Sequence, residues 1–293
     1  MKYKFIWAVT LFAAVIFADL ASAQITLTGT NYIQSFDNLN SGLPPGWSVQ
    51  TNATASALGT DVAFTTNSTS WGSTGGQFAN YASTMNYGTN LLGTENSAAQ
   101  ATFTNRCLGI RQSASFGDPG AALVFRIANT LGFAQFKLAI DLNMLSVQSR
   151  SNSWTIDYGI GANPAQFTPV WTNPDPGSFG ATTTLISFGP NMDNQAQPVW
   201  IRVVALSPTA GSGSRDTFGI DDFDLSYSPN GSVLTPLHIG LSGTNVVLNW
   251  TNPACELQAA SAAIGIFTTV PGAVSPYTNP VSETQKYFRL KAN

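Results

Sequence analysis

Apolar and polar residues alternate with a period of two along many segments of this chain, and no segment keeps the 3.6-residue spacing of an amphipathic helix. Between Leu138 and Met144, the apolar side chains fall on one face, while Asp141 and Asn143 fall on the other. This pattern is typical of an antiparallel strand with one buried face. Similar segments are Ile25 to Leu27, Val62 to Thr65, Ala101 to Thr104, Leu123 to Ile127, Trp154 to Ile160, Trp200 to Leu206 and Phe223 to Tyr227.

Turn-forming clusters separate these segments. They are Leu43-Pro44-Pro45-Gly46, Gly117-Asp118-Pro119-Gly120 and Asn173-Pro174-Asp175-Pro176-Gly177. Short strands at this spacing, without alternating helices, predict an all-β sandwich rather than a parallel α/β sheet.

Residues 1–23 have the features of a secretory signal peptide. Lys2 and Lys4 precede an apolar run from Phe5 to Phe17, and Ala21-Ser22-Ala23 predicts cleavage before Gln24. The apolar run is shorter than the roughly 20 residues that span a bilayer. We therefore expect a secreted protein, extracellular or at the cell surface, with no membrane span after cleavage.

The remainder divides into two predicted β domains. Residues 24–228 carry the strand pattern described above, and the polar, turn-forming residues 229–235 predict a linker. Residues 236–293 contain further short strands and form a second domain, small enough to need a compact core around Trp250 or to dock on the larger domain.

The charge distribution argues against a nucleic-acid partner. The chain has 12 basic and 15 acidic residues, and no basic cluster occurs along it. Loss of Lys2, Lys4 and Asp19 with the signal peptide changes the net charge from −3 to −4. Neutralising phosphates requires a concentrated basic surface, which this sequence lacks.

Most catalytic sets are missing as well. His238 is the single histidine, and its position just after the linker predicts a strand-surface residue rather than the base of a Ser/His/Asp triad. One histidine and two distant cysteines, Cys107 and Cys255, cannot supply the usual zinc ligands. The two cysteines are expected to be buried separately, although export permits a disulfide between them. Paired carboxylates such as Asp141 and Asp157 leave glycoside hydrolysis open, but outward strand positions explain both more simply.

The acidic segment from Gly219 to Tyr227 is the most informative one. Its buried candidates are Ile220, Phe223, Leu225 and Tyr227. Ile220 has the opposite parity from the other three, so burying all four requires a β-bulge at Asp221-Asp222. Two adjacent carboxylates there repel each other, and calcium, which accepts several oxygen ligands in irregular geometry, would neutralise them. The alternative is a solvated acidic strand end beside Arg215.

Three motifs near the ends of the larger domain resemble a known family. Phe36-Asp37, the segment from Leu43 to Trp47 and Ile220-Asp221-Asp222 are similar to motifs of cleaved-adhesin and MAM-like jelly-roll modules of secreted proteins. The resemblance covers about residues 30 to 228. It implies a two-sheet jelly roll whose first and last strands lie near each other, with a structural calcium ion bound there. Asp37 matches the opening acidic position, and Asp221 and Asp222 match the closing pair, while Trp47 is expected in the core.

The C-terminal region resembles a small fibronectin-III-like module. The matching segments are Ser242 to Trp250, Leu257-Gln258, Val270 to Ala273, Ser275-Pro276-Tyr277 and Tyr287 to Leu290. Such modules recur at the C-termini of secreted bacterial proteins, so the resemblance implies an accessory or surface-association role and no catalytic residue.

These observations favour a secreted, non-catalytic binding or adhesion protein for a polysaccharide or cell-surface partner. Trp71 and Trp171 have polar neighbours and are the candidate stacking platforms for sugar rings, with packing into the fold as the alternative for each. The Ser-, Thr- and Asn-rich residues 52–60 and 65–76 are predicted to be surface loops with short strands, either binding or merely solvated. The alternatives are a self-assembling matrix or surface-layer component and, third, a glycoside hydrolase.

Overall fold

The computed structural model describes residues 24–83, 97–173, 181–229, 236–252, 255–282 and 285–292. Its regular structure is almost entirely β, which confirms the predicted fold class. The predicted signal peptide and residues 230–235 of the predicted linker lie outside the described residues.

The N-terminal part contains strands β1 to β15, which are Asn31–Gln34, Trp47–Thr51, Thr60–Asp61, Phe64–Ser68, Gln77–Ala82, Arg106–Arg111, Ala122–Ile127, Phe133–Ser146, Arg150–Ser151, Thr155–Ile160, Thr168–Thr172, Ala181–Ser187, Val199–Val204, Ala210–Gly211 and Thr217–Pro229. The short helix α1 is Ser97–Gln100, and the described 3₁₀ turns are Leu39–Ser41 and Pro190–Met192.

Two large sheets form the sandwich. The six-stranded sheet has the order β11-β10-β13-β7-β2-β3, and the seven-stranded sheet has the order β12-β8-β15-β6-β5-β4, with β1 paired to β15. The β4–β5 pair is parallel, whereas the pairs that β15 makes with β1, β6 and β8 are antiparallel. Pairing of β1 with β15 confirms that the first and last strands of this sandwich are neighbours.

The inner faces of the two sheets enclose one large apolar core. Leu138, Ile140 and Leu142 are fully buried, as their period-two spacing predicts. Trp47 of β2 lies 5.2 Å from Phe125 between ring centroids. The Trp47 ring also lies 5.0 Å from Phe223 of β15, so aromatic rings join the two sheets. The prediction that Trp47 belongs to the core is confirmed.

Two segments differ from the strand prediction. Residues 101–104 form a turn after α1, and the strand begins at Arg106 instead. Every residue of β6, including Arg106 and Arg111, is buried. A charged residue stands at each end of β6, and both faces of the strand are buried. The strand therefore shows no apolar–polar alternation. Near the N-terminus, Ile25 forms only an isolated bridge with Ile127.

A buried ion pair lies on the outer face of the six-stranded sheet. Arg202 on β13 lies directly opposite Asp157 on β10, and its Nε and Nη2 donate to the two carboxylate oxygens at 2.8 and 2.7 Å. Nη1 and Nη2 also donate to the carbonyls of Ala57 and Thr54. The guanidinium lies 3.3 Å from the centroid of the Phe167 ring. One arginine thus fastens the 54–57 loop over this face.

The C-terminal part contains strands β16 to β21, which are His238–Ser242, Asn245–Asn249, Cys255–Ala260, Thr268–Thr269, Tyr277–Pro280 and Tyr287–Ala292. They form two three-stranded sheets, β16-β17-β20 and β19-β18-β21, around a cluster that includes Leu248, Trp250 and Leu257.

Edge strand β16 leaves apolar side chains exposed. Ile239 is 63% exposed and Leu241 is 80% exposed. The self-assembly alternative would use this edge, because an exposed strand edge offers unpaired backbone groups to a second chain.

The two cysteines are both free thiols. Cys107 is buried and Cys255 is half-buried, which agrees with the expectation that they are separate. The cysteines therefore do not cross-link the N-terminal and C-terminal sheets.

Candidate functional site

The predicted bulge at Asp221-Asp222 is present. Asp221 pairs with Asp141 of β8, but Asp224 pairs with Ala139, so β15 contains one extra residue between these pairs. Asp222 adopts a left-handed backbone with φ 43°, which aspartate tolerates better than most residues. Ile220, Phe223, Leu225 and Tyr227 are all buried as a result.

Asp37 is placed at the same end of the sheet. It follows Phe36, a core residue with φ 58° whose backbone N–H donates to the side chain of Gln34. This turn exposes Asp37, whose Oδ1 accepts a hydrogen bond from the backbone N–H of Arg106 at 3.0 Å. Non-glycine residues with positive φ therefore adjoin the site on both β1 and β15, where surrounding packing must hold the strained backbone.

Asp37 and Asp222 line one open cleft of about 750 Å³, which we call the polar cleft. Its lining residues are Asp37, Asn38, Asn40, Thr66, Asn67, Ser68, Asn80, Ala101, Phe103, Thr104, Asn105, Arg106 and Asp222. Most of these side chains carry amide or hydroxyl groups, which both donate and accept hydrogen bonds. Phe103 is the one aromatic residue among them.

Arg106 is a buried brace under the polar cleft. Its Nε donates to Asn80 Oδ1 at 2.7 Å, and its Nη2 donates to Ser68 Oγ at 2.9 Å and to the Asn80 carbonyl at 3.1 Å. Its Nη1 donates to the carbonyls of Gln100 at 2.6 Å and Phe103 at 3.4 Å. A guanidinium has five N–H groups, so every one of them is engaged by the protein. Arg106 thereby ties the turn that carries Phe103 to β4 and β5.

The electrostatic environment of the polar cleft is negative. Partial burial raises the pKa of the Asp222 carboxyl, and the charges of Asp141 and Asp37 raise it further. Burial also raises the pKa of Asp221 to about 8, with a further contribution from Asp222 that a hydrogen bond with Ser83 opposes. Burial is the main cause of both raised pKa values, and the neighbouring carboxylates, as like charges, act in the same direction.

Asp221 is fully buried and does not line the polar cleft. Its Oδ1 accepts a hydrogen bond from the backbone N–H of Asp222 at 2.9 Å. Its Oδ2 has no hydrogen-bond partner within the described part of the chain. A buried carboxylate oxygen without a partner is unfavourable unless a proton or a cation accompanies it.

The described ranges contain no group of three or more His, Cys, Asp or Glu side chains placed to hold a metal ion. Of the three residues that the sequence predicts as calcium ligands, Asp37 and Asp222 share the polar cleft, and Asp221 is buried beside Asp222. A calcium ion here would need carbonyl, amide or hydroxyl oxygens in addition, which calcium accepts.

The solvated strand end beside Arg215 is not what the structure contains. Arg215 pairs instead with Asp118, which also accepts hydrogen bonds from the backbone and hydroxyl of Thr209. These hydrogen bonds, together with Arg215, lower the pKa of Asp118 although burial opposes them. The Arg215–Asp118 ion pair therefore stabilises the loop before β15 and does not involve the acidic bulge.

The expectation that Trp71 is exposed is wrong. Trp71 is 1% exposed, and its Nε1 donates to the Ala82 carbonyl at 2.9 Å. The hydroxyl of Thr217 donates to the Trp71 carbonyl at 2.6 Å. The loop that carries Trp71 folds back over the outer face of the seven-stranded sheet, so the ring packs in a small apolar cluster with Tyr81 and Leu145.

Trp171 also differs from an open stacking platform. It is half-buried on β11, opposite the buried Ile156, and packs against the edge of the main core. It does not line the polar cleft. His238 is exposed on β16, as expected for a strand-surface histidine.

The sequence does not indicate Phe103 and Asn105 as site residues, because the pattern of residues 101–104 predicts a strand. A partial signal existed for the opposite wall, since Thr66, Asn67 and Ser68 belong to the polar stretch 65–76 that was a candidate binding region. The Arg106 brace had no local signal, because its partners come from β4, β5 and the turn after α1.

No family model and no curated protein matches this chain. Several solved structures are similar at low identity. The K1 cleaved adhesin domain of Lys-gingipain from Porphyromonas gingivalis is 12% identical, covers 68% of this chain and 98% of its own, and has a TM-score of 0.37. The C-terminal family 22 carbohydrate-binding module of a Clostridium thermocellum xylanase is 9% identical, with coverages of 68% and 94% and a TM-score of 0.36. A Stig cyclase from Fischerella is 14% identical, with coverages of 69% and 91% and a TM-score of 0.39.

Within the described residues, the chain has no helix of the length and apolar character that membrane crossing requires. Its longest described helix, α1, has four residues.

Proposed function

We propose that this protein is a secreted, non-catalytic glycan-binding protein whose ligand lies in the polar cleft. The observation that carries the proposal is the composition of this cleft: amide and hydroxyl groups surround a single aromatic ring, Phe103, in a volume of about 750 Å³. Small-ligand sites occupy about 300–1,000 Å³. Sugars offer hydroxyl groups to the amides and an apolar ring face to the aromatic side chain.

We predict that Phe103→Ala weakens binding to a polysaccharide ligand about tenfold, because the loss of an aromatic contact of roughly 1.4 kcal/mol corresponds to that factor. Asn67→Ala removes an exposed amide at the opposite wall and should weaken binding severalfold without affecting the fold. The matched control is Trp171→Ala, outside the cleft, which should leave affinity within about twofold. Affinity electrophoresis followed by calorimetry measures all three, after a glycan array has selected the polysaccharide.

The opposite pattern of binding losses would contradict a ligand in the polar cleft. Loss of binding in Trp171→Ala, with Phe103→Ala and Asn67→Ala unaffected, would move the ligand to the edge of the six-stranded sheet. Thermal unfolding of each variant separates lost contacts from lost structure.

Glycoside hydrolysis requires two carboxyl groups on either side of the scissile bond, and Asp37 and Asp222 are the carboxyl groups that line the polar cleft. A binding protein leaves its polysaccharide intact. Release of reducing ends by the wild-type protein, abolished in Asp222→Asn, would replace the proposed function with a catalytic one.

We also propose that calcium binds beside the bulge, with Asp37, Asp221 and Asp222 as its acidic ligands. The three carboxylates are not yet arranged as a metal-binding group in the described residues, so binding would require Asp221 and the neighbouring loops to adjust around the ion. The support is the proximity of these like charges together with the partnerless Oδ2 of buried Asp221. Side-chain amides and backbone carbonyls of the surrounding loops would complete the oxygen ligands that calcium prefers.

We predict that excess chelator lowers the melting temperature by about 5–10 °C and that calcium restores it. Saturation to about a hundred times the dissociation constant stabilises the native state by about 2.7 kcal/mol, which corresponds to a shift of this size for a domain of this length. Asp222→Asn should lose most of the calcium-dependent shift, whereas Asp61→Asn, on the exposed strand β3, should keep it. A melting temperature that chelator leaves unchanged would eliminate the calcium site.

A further inference from the structure

We infer that the polar cleft selects uncharged glycans and rejects polyanionic ones, such as polyuronates and sulfated polysaccharides. This inference rests on the proposed function, because it names the ligand class of the same cleft. It depends on where the charges and the available hydrogen-bond donors of the cleft lie.

Within the described residues, the cleft offers no free cationic donor to an anionic sugar. Arg106 is the only basic residue among its lining side chains, and it is buried with all five N–H groups engaged. Recognition of a carboxylate or sulfate by arginine depends on free, parallel N–H groups. Arg106 therefore shapes the cleft rather than contacting an anion.

The charges that do reach the cleft are negative. Asp37 and Asp222 are both exposed in its lining. The 24–229 region as a whole has twelve acidic and seven basic residues. An anionic sugar ring would be placed against like charges without a compensating contact, which disfavours binding and slows association.

The remaining groups suit neutral hydroxyls. Asn38, Asn67 and Asn105 carry amides that present one acceptor and two donors each, and Thr104 adds a hydroxyl group. Hydrogen bonds between neutral groups need no charge partner. Phe103 supplies the apolar surface against which a sugar ring packs.

The test uses the full chain and a matched polysaccharide pair. An array of neutral and anionic polysaccharides first identifies the neutral one that binds most tightly. That polysaccharide is then carboxymethylated, and its hydroxyethyl derivative at equal substitution is the neutral control. We expect the carboxymethyl form to bind at least tenfold more weakly than the hydroxyethyl form in chelator, where no cation offsets the carboxylates of the cleft.

Two variants test whether the cleft causes the discrimination. Asp222→Asn removes one charge and keeps a residue that tolerates the left-handed backbone. It should therefore reduce severalfold the ratio of the dissociation constants of the carboxymethyl and hydroxyethyl derivatives. Asp224→Asn lies on the same strand but outside the lining, where its carboxylate accepts a hydrogen bond from Asn31, and it should leave the ratio unchanged.

The possible outcomes separate the inference from the function beneath it. Equal or tighter binding of any anionic polysaccharide in chelator overturns the charge selectivity and leaves glycan binding intact. If Asp222→Asn prefers the hydroxyethyl derivative as strongly as the wild type does, the inference is also overturned, because the discrimination then arises outside the polar cleft. Absence of binding to every polysaccharide on the array overturns the proposed function itself.

Discussion

Arg202→Met is expected to lower the free energy of unfolding by about 3–5 kcal/mol, since removal of one partner strands a buried charge. Arg202 and Asp157 have side chains that are 0% and 1% exposed. Burial already raises the pKa of Asp157 although Arg202 opposes it, which shows how unfavourable this position is for an isolated carboxylate. Denaturant unfolding of the single variant measures the loss.

The matched control is the double variant Arg202→Met/Asp157→Leu. It removes both charges together, so it should recover a large part of the lost stability, because the ion pair itself contributes little net free energy once desolvation is counted. The recovery should be incomplete, since the carbonyls of Thr54 and Ala57 also lose the hydrogen bonds from Arg202 and keep only those from each other's backbone N–H groups. A double variant no more stable than Arg202→Met would show that these loop contacts, rather than the buried charge, dominate.

Arg106→Met is expected to produce the second large effect, a loss of roughly 2–4 kcal/mol in stability together with loss of glycan binding. The substitution leaves the buried Oδ1 of Asn80 without its donor and removes further hydrogen bonds to Ser68 and to the Gln100 carbonyl, and an unsatisfied buried group is unfavourable by about 1–3 kcal/mol. The turn that carries Phe103 also loses its attachment to β5.

The control for this prediction lies at the other end of the same strand. Arg111 is buried on β6 and donates to the hydroxyl of Thr217 at 2.8 Å, away from the polar cleft. Arg111→Met should therefore destabilise the protein without weakening the binding of glycan by the folded fraction. Calorimetric titration at a temperature where both variants are folded distinguishes the two. Equal binding by Arg106→Met and wild type would remove Arg106 from the support of the site.

Features that depend on local periodicity were predictable from the sequence. The alternation between Leu138 and Met144 predicts a strand, and β8 contains it. The parity conflict between Ile220 and Phe223 predicts the bulge, because burial of both requires one extra residue. The proximity of Asp37 to the acidic pair was implied by the family resemblance rather than by periodicity, and Asp37 and Asp222 do line one cleft, whereas Asp221 is buried.

Features that depend on distant partners were not predictable. Asp157 reads as an outward strand position, and its sequence neighbours do not indicate that Arg202 lies across the strand pair. Trp71 lies among polar residues, which predicts exposure, yet the fold of its loop over the seven-stranded sheet buries the ring. Burial of a loop residue depends on what the loop covers, and a single sequence does not contain that information.

The pairing of β1 with β15 decides which way the polar cleft faces. Asn31, where the chain enters the sheet, lies opposite Ser226 near its exit, whereas Gln34 lies opposite Phe223 next to the acidic bulge. About 10 Å of paired strand separates these two ends. The chain therefore enters and leaves this strand pair at one end, and the acidic bulge beside the polar cleft lies at the other.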